Sequence, residues 1–329
     1  MTIKKTVSVA PMMDCTDRHD RYFLRLISKN VNLYTEMIVA KAIIKGNRDR
    51  LLRFNPKEKP LALQIGGSNP KELAEAVKIA ENYGFDEINF NLGCPSKKVQ
   101  KNKFGACLMK EPNLVGDCIS EMKNSTYLPI TIKTRIGYDD KEDYQYLKNF
   151  LEIIKKSGAK TFIIHARRAL LNKTPKQNLS IPPLNYNFVY NLKNDFKENE
   201  VILNGGIDTI EKIKINLKKV DGVMIGRAVY HSPYFLAEIE KEIFKNYEVP
   251  SREEVIEKMM PYITDETKKG TKLNHIMRHT IGLFHGQKGS SSWKRYLNKN
   301  MCIREADLQK VNHIMDHINN NNVNSSLER

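Results

Sequence analysis

This sequence has no CxxC pair, no run of about 18 apolar residues, a single tryptophan and far fewer acids than bases. The five cysteines, Cys15, Cys94, Cys107, Cys118 and Cys302, are odd in number and irregularly spaced, which fits neither a disulfide framework nor a zinc ribbon. Thiols of this kind stay reduced, as in cytoplasm. The missing apolar run removes any expectation of a membrane span. The start, Met1-Thr2-Ile3-Lys4-Lys5-Thr6, passes directly into a strand-like segment rather than a signal peptide. A soluble cytoplasmic protein without a metal is therefore expected. The shortage of acids leaves 54 Lys+Arg against 38 Asp+Glu, a formal charge of +16. Such an excess favours an anionic partner, nucleic acid or an acidic surface. Richness in lysine, asparagine and isoleucine also follows genome base composition, so charge alone leaves the partner open.

What is present is a repeat of short β-rich runs, about every 20 to 40 residues, each followed by a helix-like segment. The runs are Val7 to Met12, Leu33 to Glu36, Leu61 to Ile65, Glu87 to Leu92, Ile130 to Thr134, Thr161 to His165, Val201 to Leu203 and Gly222 to Ile225. About eight βα units suggest a TIM (β/α)8 barrel, with a doubly wound open sheet as the competitor. The barrel is favoured because polar residues follow the strands all along the chain, as they do at a barrel's C-terminal rim. Helix signals agree: Asn69-Pro70-Lys71-Glu72 opens a helix that ends near Gly84, and Asp208-Thr209 opens another over Ile210 to Leu217. After about Tyr247 the strand runs stop, and Ser251-Arg252-Glu253-Glu254 begins a helical region reaching about Ile318. The expected organisation is a catalytic barrel over 1–246, a smaller helical domain over 247–318, and a disordered Asn- and Ser-rich tail over 319–329.

The strand ends carry the chemistry. Asn91-Leu92-Gly93-Cys94-Pro95-Ser96 reads as a strand delivering one thiol to a turn, where Cys94 is either a reactive group or a small buried residue. Gln64, ending the third strand, can donate and accept at once, which suits the uracil-like edge of a flavin or, equally, a neighbouring loop. Lys133 alternates with apolar residues, and an inward lysine needs an anion: a reduced flavin, or a barrel carboxylate. His165 followed by Arg167 and Arg168 reads as a ligand-facing set, with a core histidine and solvated arginines as the alternative. Asn204-Gly205-Gly206 and Gly226-Arg227 end strands seven and eight, where barrels commonly hold a phosphate on backbone amides.

Ala10-Pro11-Met12, the segment around Asn91 to Ser96, Lys133 to Gly137, His165-Ala166-Arg167 and the two glycine loops together resemble the tRNA-dihydrouridine synthases, over nearly all of the chain. Asp17-Arg18-His19, Phe104 to Met109, Ile181-Pro182-Pro183-Leu184 with Tyr186, and Trp293 to Leu297 are similar to the bacterial A branch, which modifies positions 20 and 20a of the tRNA D-loop. The resemblance implies flavin mononucleotide (FMN) in the barrel, NADPH or NADH as reductant, and a uridine turned out of tRNA into the same pocket. It implies Cys94 as the general acid. Pro11, Met12, Met13, Gln64, Lys133, His165, Asn204, Gly205, Gly206, Gly226 and Arg227 would surround the cofactor. Asn91 would orient the base. Arg135, Arg167, Arg168, Lys176, Lys294 and Arg295 would contact the RNA, and the protein would act as a monomer. Trp293 either stacks a base or anchors a core. Leu170, Leu179, Ser291 and Cys15 depart from the branch pattern, and these departures bear on the choice of tRNA position rather than on flavin chemistry. A small-molecule FMN oxidoreductase of the dihydroorotate dehydrogenase type, and a noncatalytic tRNA-binding barrel, are the competing readings.

Overall fold

A computed structural model describes residues 6–300; the expected tail and the end of the helical region lie outside the described residues. Among the described residues eight parallel strands form the barrel: β1 (Thr6–Val9), β2 (Leu33–Tyr34), β3 (Leu61–Gly66), β4 (Glu87–Asn91), β5 (Ile130–Arg135), β6 (Thr161–His165), β7 (Glu200–Asn204) and β8 (Gly222–Ile225). Neighbours pair in sequence order from β2 to β8, and β1 pairs with β8 over Thr6↔Gly222 to Val9↔Ile225. The ring closes where Ser8 bridges Asn32, just before β2, with Asn32 N–H donating to Val7 O at 3.0 Å and Val9 N–H to Asn32 O at 2.9 Å. A short extra strand, Ile38–Val39, lies along the end of β3.

Strand ends follow local chemistry. β1 stops at Val9, short of the Met12 expected from the sequence. Pro11 has no N–H for the ladder, and the chain then turns tightly: Thr16 Oγ1 accepts from Met12 N–H at 3.0 Å while Met12 O accepts from Thr16 N–H at 3.0 Å. Helix starts match their caps. Asn69 accepts from Glu72 N–H ahead of Pro70–Glu81, Thr209 caps Ile210–Leu217, and Ser251 forms a capping box with Glu254 at Arg252–Lys268.

Strand alternation sets which side chains enter the barrel. In β4, Glu87, Asn89 and Asn91 share one face and Ile88 and Phe90 the other; in β5, Thr131, Lys133 and Arg135 oppose Ile130 and Ile132. The register places Gln64 beside Asn89 and Asn89 beside Thr131, so polar side chains of adjacent strands meet inside the barrel. The apolar residues of these strands face the surrounding helices. Between the polar groups sits a small apolar plug of Ala10, Tyr34, Ala62, Ile163, Ile202 and Met224, with Met12 packed on it.

The described residues divide into two compact units: residues 6–16 with 31–226, and residues 17–30 with 227–300. The second unit thus takes in Arg18–Ile27, the helix after the first strand. Asp17, its N-cap, accepts from the His19 and Asp20 amides and pairs with Arg278 at 2.7 Å and His279 at 3.1 Å. Burial works to raise the Asp17 carboxyl, but the bond from His279, its charge and the bonds from Asp20 N–H and Arg278 hold it well below its ordinary 3.8. The pairing therefore stabilises the unit above that value and is lost as pH falls further. Asp17→Ala removes a cap and the acceptor shared by Arg278 and His279, an expected cost of about 3 kcal/mol, to be read in urea unfolding at pH 7 and to shrink in acid. Trp293 belongs to the same unit and is a core anchor: it is 3% exposed, its indole N–H donates to Thr280 O at 3.0 Å, and Phe284 meets it edge-on.

Candidate active site

Cys94 sits in a turn braced from four directions. Asn91 Oδ1 accepts from Gly93 N–H at 3.2 Å and Cys94 N–H at 3.0 Å, the turn that asparagine favours. Gly93 O accepts from Arg135 Nε at 2.9 Å, Cys94 O from Ala106 N–H at 3.0 Å, and Pro95 O from Gln100 Nε2 at 2.8 Å. The same Gln100 nitrogen reaches Leu171 O at 2.8 Å, tying this turn to the loop after β6. Cys94 itself is half-buried. Burial pushes its thiol up from the ordinary 9.0, while the Ser96 amide and the charges of Arg135 and Lys133 pull the other way. At neutral pH it is a protonated thiol placed near cations, the state a proton donor requires.

Lys133 lies beside Asn91 in the ladder, and its Nζ donates to Asn204 Oδ1 at 3.0 Å. Among the described residues no carboxylate pairs with it. Burial, and then the charge of Arg135, bring its ammonium down to about 7, opposed only by Cys94. A half-buried lysine held by a neutral amide is a site prepared for an anion. Asn204 is itself fixed, its Nδ2 donating to Met224 O at 2.8 Å.

Next to Asn204 the chain takes positive φ twice, 115° at Gly205 and 68° at Gly206. A Cβ on Gly205 would fall 2.8 Å from the His165 ring, and one on Gly206 2.5 Å from Leu184, so this loop needs glycine on conformational and steric grounds alike. Tyr186 OH donates to Gly205 O at 2.6 Å and fixes the loop. Gly226 differs: a Cβ there would make only ordinary contact, 3.5 Å from Met12 Sδ. Nothing in the protein's own packing demands glycine there.

The structure thus brings Gln64, Asn91, Cys94, Lys133, His165, Asn204 and the Gly205 loop to the same strand ends. Met12 packs at the edge of the plug, Pro11 is half-buried beside it, and Met13 is 55% exposed. Arg135 is buried, with its guanidinium on Gly93 O and Arg168 O. Arg167 donates to Pro182 O, Arg168 pairs with Glu142 at 3.5 Å, and Lys176 is exposed beside the short Gln177–Leu179 helix. Arg227, Lys294 and Arg295 belong to the other unit; Arg227 and Arg295 are exposed and Lys294 is half-buried. No group of three or more His, Cys, Asp or Glu residues suited to a metal occurs among the described residues. No helix among them is long and apolar enough to cross a membrane.

Residues 8–319 match the family described as Dihydrouridine synthase (Dus). The chain belongs to that family. Relatives named tRNA-dihydrouridine(20/20a) synthase are similar along almost their whole length. One from Vibrio parahaemolyticus is 50% identical over 303 residues, 91% of this chain and 93% of its own. One from Synechocystis is 48% identical, covering 91% and 90%, and one from Escherichia coli is 47% identical, covering 94% and 90%. The barrel with its helical C-terminal region is the architecture of this dihydrouridine synthase family member.

Residues that sequence reasoning missed are Asn89, Thr131 and Glu87 deeper in the barrel strands, and, in loops, Thr16 holding the Met12 turn and Asn178. The last is wholly buried and bonds Leu170 through both its N–H and its C=O, at 2.7 and 2.9 Å. The available signal was the alternation in Glu87 to Asn91 and Thr131 to Arg135, where every second residue is polar.

Proposed function

We propose that this protein reduces the C5=C6 bond of uridine at positions 20 and 20a of the tRNA D-loop to 5,6-dihydrouridine, using FMN and NADPH. The observation that carries this reading is Lys133, a half-buried lysine with an amide but, among the described residues, no carboxylate for a partner, on the strand adjoining the one that leads to the Cys94 thiol. Its need for an anion, together with the glycine loop after Asn204, fits a flavin mononucleotide. Gln64, Lys133, His165 and Asn204 would hold the ring side; Gly205, Gly206, Gly226 and Arg227 would hold the phosphate. Met12 and Met13 would line the ring. The flavin, when bound and reduced by NADPH, supplies the hydride that uracil C6 receives.

The chain's own part is the proton. Cys94 gives its thiol hydrogen to C5; the S–H bond breaks, a C–H bond forms, and a thiolate remains that solvent reprotonates. Burial keeps the thiol protonated before the step. The Arg135 and Lys133 charges favour the thiolate after it, which lowers the cost of the transfer. Asn91 keeps the turn in place and orients the base. Residues 1–246 carry out the reaction and residues 247–318 supply RNA contacts, the protein acting as a monomer in the cytoplasm. Arg167, Arg168, Lys176, Lys294 and Arg295 contribute to a largely electrostatic hold on the tRNA, while the buried Arg135 braces the Cys94 turn instead.

The names of the relatives support the position, and the basic excess supports the partner. Mapping dihydrouridine by mass spectrometry in tRNA from cells lacking this protein, and from the same cells with it restored, tests both. Loss at 20 and 20a with recovery on restoration is the expected result. Loss elsewhere overturns the position and keeps the chemistry; an unchanged map in cells without a second such enzyme overturns the reading.

A further inference from the structure

Polar side chains of β3, β4 and β5 form an unbroken chain of hydrogen bonds, all running in the same sense. Cys94 N–H donates to Asn91 Oδ1 at 3.0 Å, Asn91 Nδ2 to Gln64 Oε1 at 2.8 Å, and Gln64 Nε2 to Asn89 Oδ1 at 2.8 Å. Asn89 Nδ2 then donates to Thr131 Oγ1 at 2.8 Å, and Thr131 Oγ1 to Glu87 Oε1 at 2.5 Å. Tyr34 OH donates to the same Glu87 oxygen at 3.1 Å. Glu87 opens β4 and Asn91 closes it, so the chain runs from the N-terminal end of the barrel strands to the turn that holds Cys94.

We propose that Glu87, Thr131 and Asn89 are positioning residues for the reaction, fixing which way the Gln64 and Asn91 amides point and thereby holding the Cys94 turn. The inference deepens the functional reading above and rests on it for the catalytic role of Cys94. Its physical basis is donor and acceptor arithmetic. An amide is nearly symmetric in shape, so packing alone does not choose between its two orientations. Thr131 gives its one hydroxyl hydrogen to Glu87, which leaves it only lone pairs for Asn89. Asn89 must then point its NH2 at Thr131 and its oxygen at Gln64. Gln64 must point its NH2 at Asn89 and its oxygen at Asn91. Asn91 is left presenting oxygen to the Gly93 and Cys94 amides, which need an acceptor. Each choice compels the next, and bonds aligned head to tail polarise one another. Asn91 is also the ladder partner of Lys133, and Gln64 is bonded to Asn91 from the next strand, so the same chain sets the donor and acceptor pattern that a pyrimidine-like edge would meet.

Thr131→Val keeps the shape of the residue and removes the hydroxyl; Thr131→Ser keeps the hydroxyl. With valine, either Asn89 NH2 faces a methyl group or the amides reverse together and Asn91 turns its NH2 toward the two backbone N–H groups. Hydrogen exchange of the Gly93 and Cys94 amides, followed by mass spectrometry on the flavin-free full-length protein, is expected to rise about 10-fold or more in Thr131→Val and to return to within about 2-fold of the parent in Thr131→Ser. In the reconstituted enzyme Thr131→Val is expected to lower kcat about 10- to 100-fold with KM for tRNA unchanged, and Thr131→Ser to restore it. Parent-like exchange in Thr131→Val, or a serine variant that behaves like the valine one, overturns the proposal. If the valine variant does not fold, Asn89→Ala asks the same question at the next link, and unchanged exchange at Cys94 overturns the proposal there. The exchange readout needs neither cofactor nor tRNA. If it responds as expected while the parent reduces no uridine, the functional reading falls and the hydrogen-bond chain stands; if the parent is active and exchange does not respond, the chain falls alone.

Discussion

Cys94→Ala is expected to slow the oxidation of reduced flavin on tRNA by about 10²- to 10⁴-fold, the range that a positioned general acid contributes. The loss should appear in a single turnover, with flavin content and tRNA affinity close to those of the parent, because the Cys94 side chain braces nothing. The bonds that hold the turn run through its backbone N–H and C=O, which alanine keeps. The pH profile separates this role from a nucleophilic one. Burial holds the thiol above 9.0, so a rate that needs the protonated form is level across neutral pH and falls as the thiol ionises above that value. A rate that needs thiolate would climb across the same range. Cys94→Ser, with a much weaker acid at the same place, is expected to recover little. A Cys94→Ala enzyme that turns over at the parent rate would remove the thiol from the mechanism and leave water as the proton source.

Lys133→Met is expected to change two quantities in opposite directions. In the flavin-free protein the variant should be more stable at pH 7, by about 1 to 3 kcal/mol, because replacing a desolvated charge with an apolar chain of similar length removes a burial penalty. In the same variant, flavin affinity should drop about 10- to 100-fold, the equivalent of losing one hydrogen bond to a charged group. The sign of the pH dependence follows from the lowered value. With about 7 in the folded state against 10.5 ordinarily, the stability missing at neutral pH returns as pH rises toward 10.5. The gap between variant and parent should therefore close over that window in thermal unfolding of the flavin-free proteins. A variant that is both less stable and fully flavinated would show that Lys133 serves the fold alone.

These predictions differ in how far they were legible beforehand. Cys94, Lys133 and the Gly205-Gly206 pair stood out as candidates, a thiol in a turn, a lysine in an alternating strand and two glycines after an asparagine, each with a structural alternative beside the functional one. Glu87, Asn89 and Thr131 were passed over. Asparagine and threonine in a strand are unremarkable residue by residue, and the sequence does not say which face of β4 or β5 is the barrel interior. Arg135 shows the converse. It reads as one more cation for RNA, yet the fold buries it and commits its guanidinium to the carbonyls of Gly93 and Arg168. Trp293 stood open between base and core, and its buried indole N–H on Thr280 O decides for the core.

By itself the sequence determined the local matters: the eight strand runs, the capped helix starts at Asn69, Thr209 and Ser251, the turn at Cys94 and the family motifs. Each of these rests on interactions within a few residues, a cap with the third amide beyond it or an asparagine with the two N–H groups that follow. Only the tertiary structure decided what depends on partners far apart in the chain. The segment 17–30 joins the unit built from Arg227 onward because Asp17 finds Arg278 and His279, more than 260 residues away. The barrel closes through Asn32 between β1 and β2, and Lys133 meets Asn204 rather than a carboxylate. The direction of every amide from Cys94 to Glu87 is set by strand register, which composition and periodicity leave unspecified until the strands are side by side.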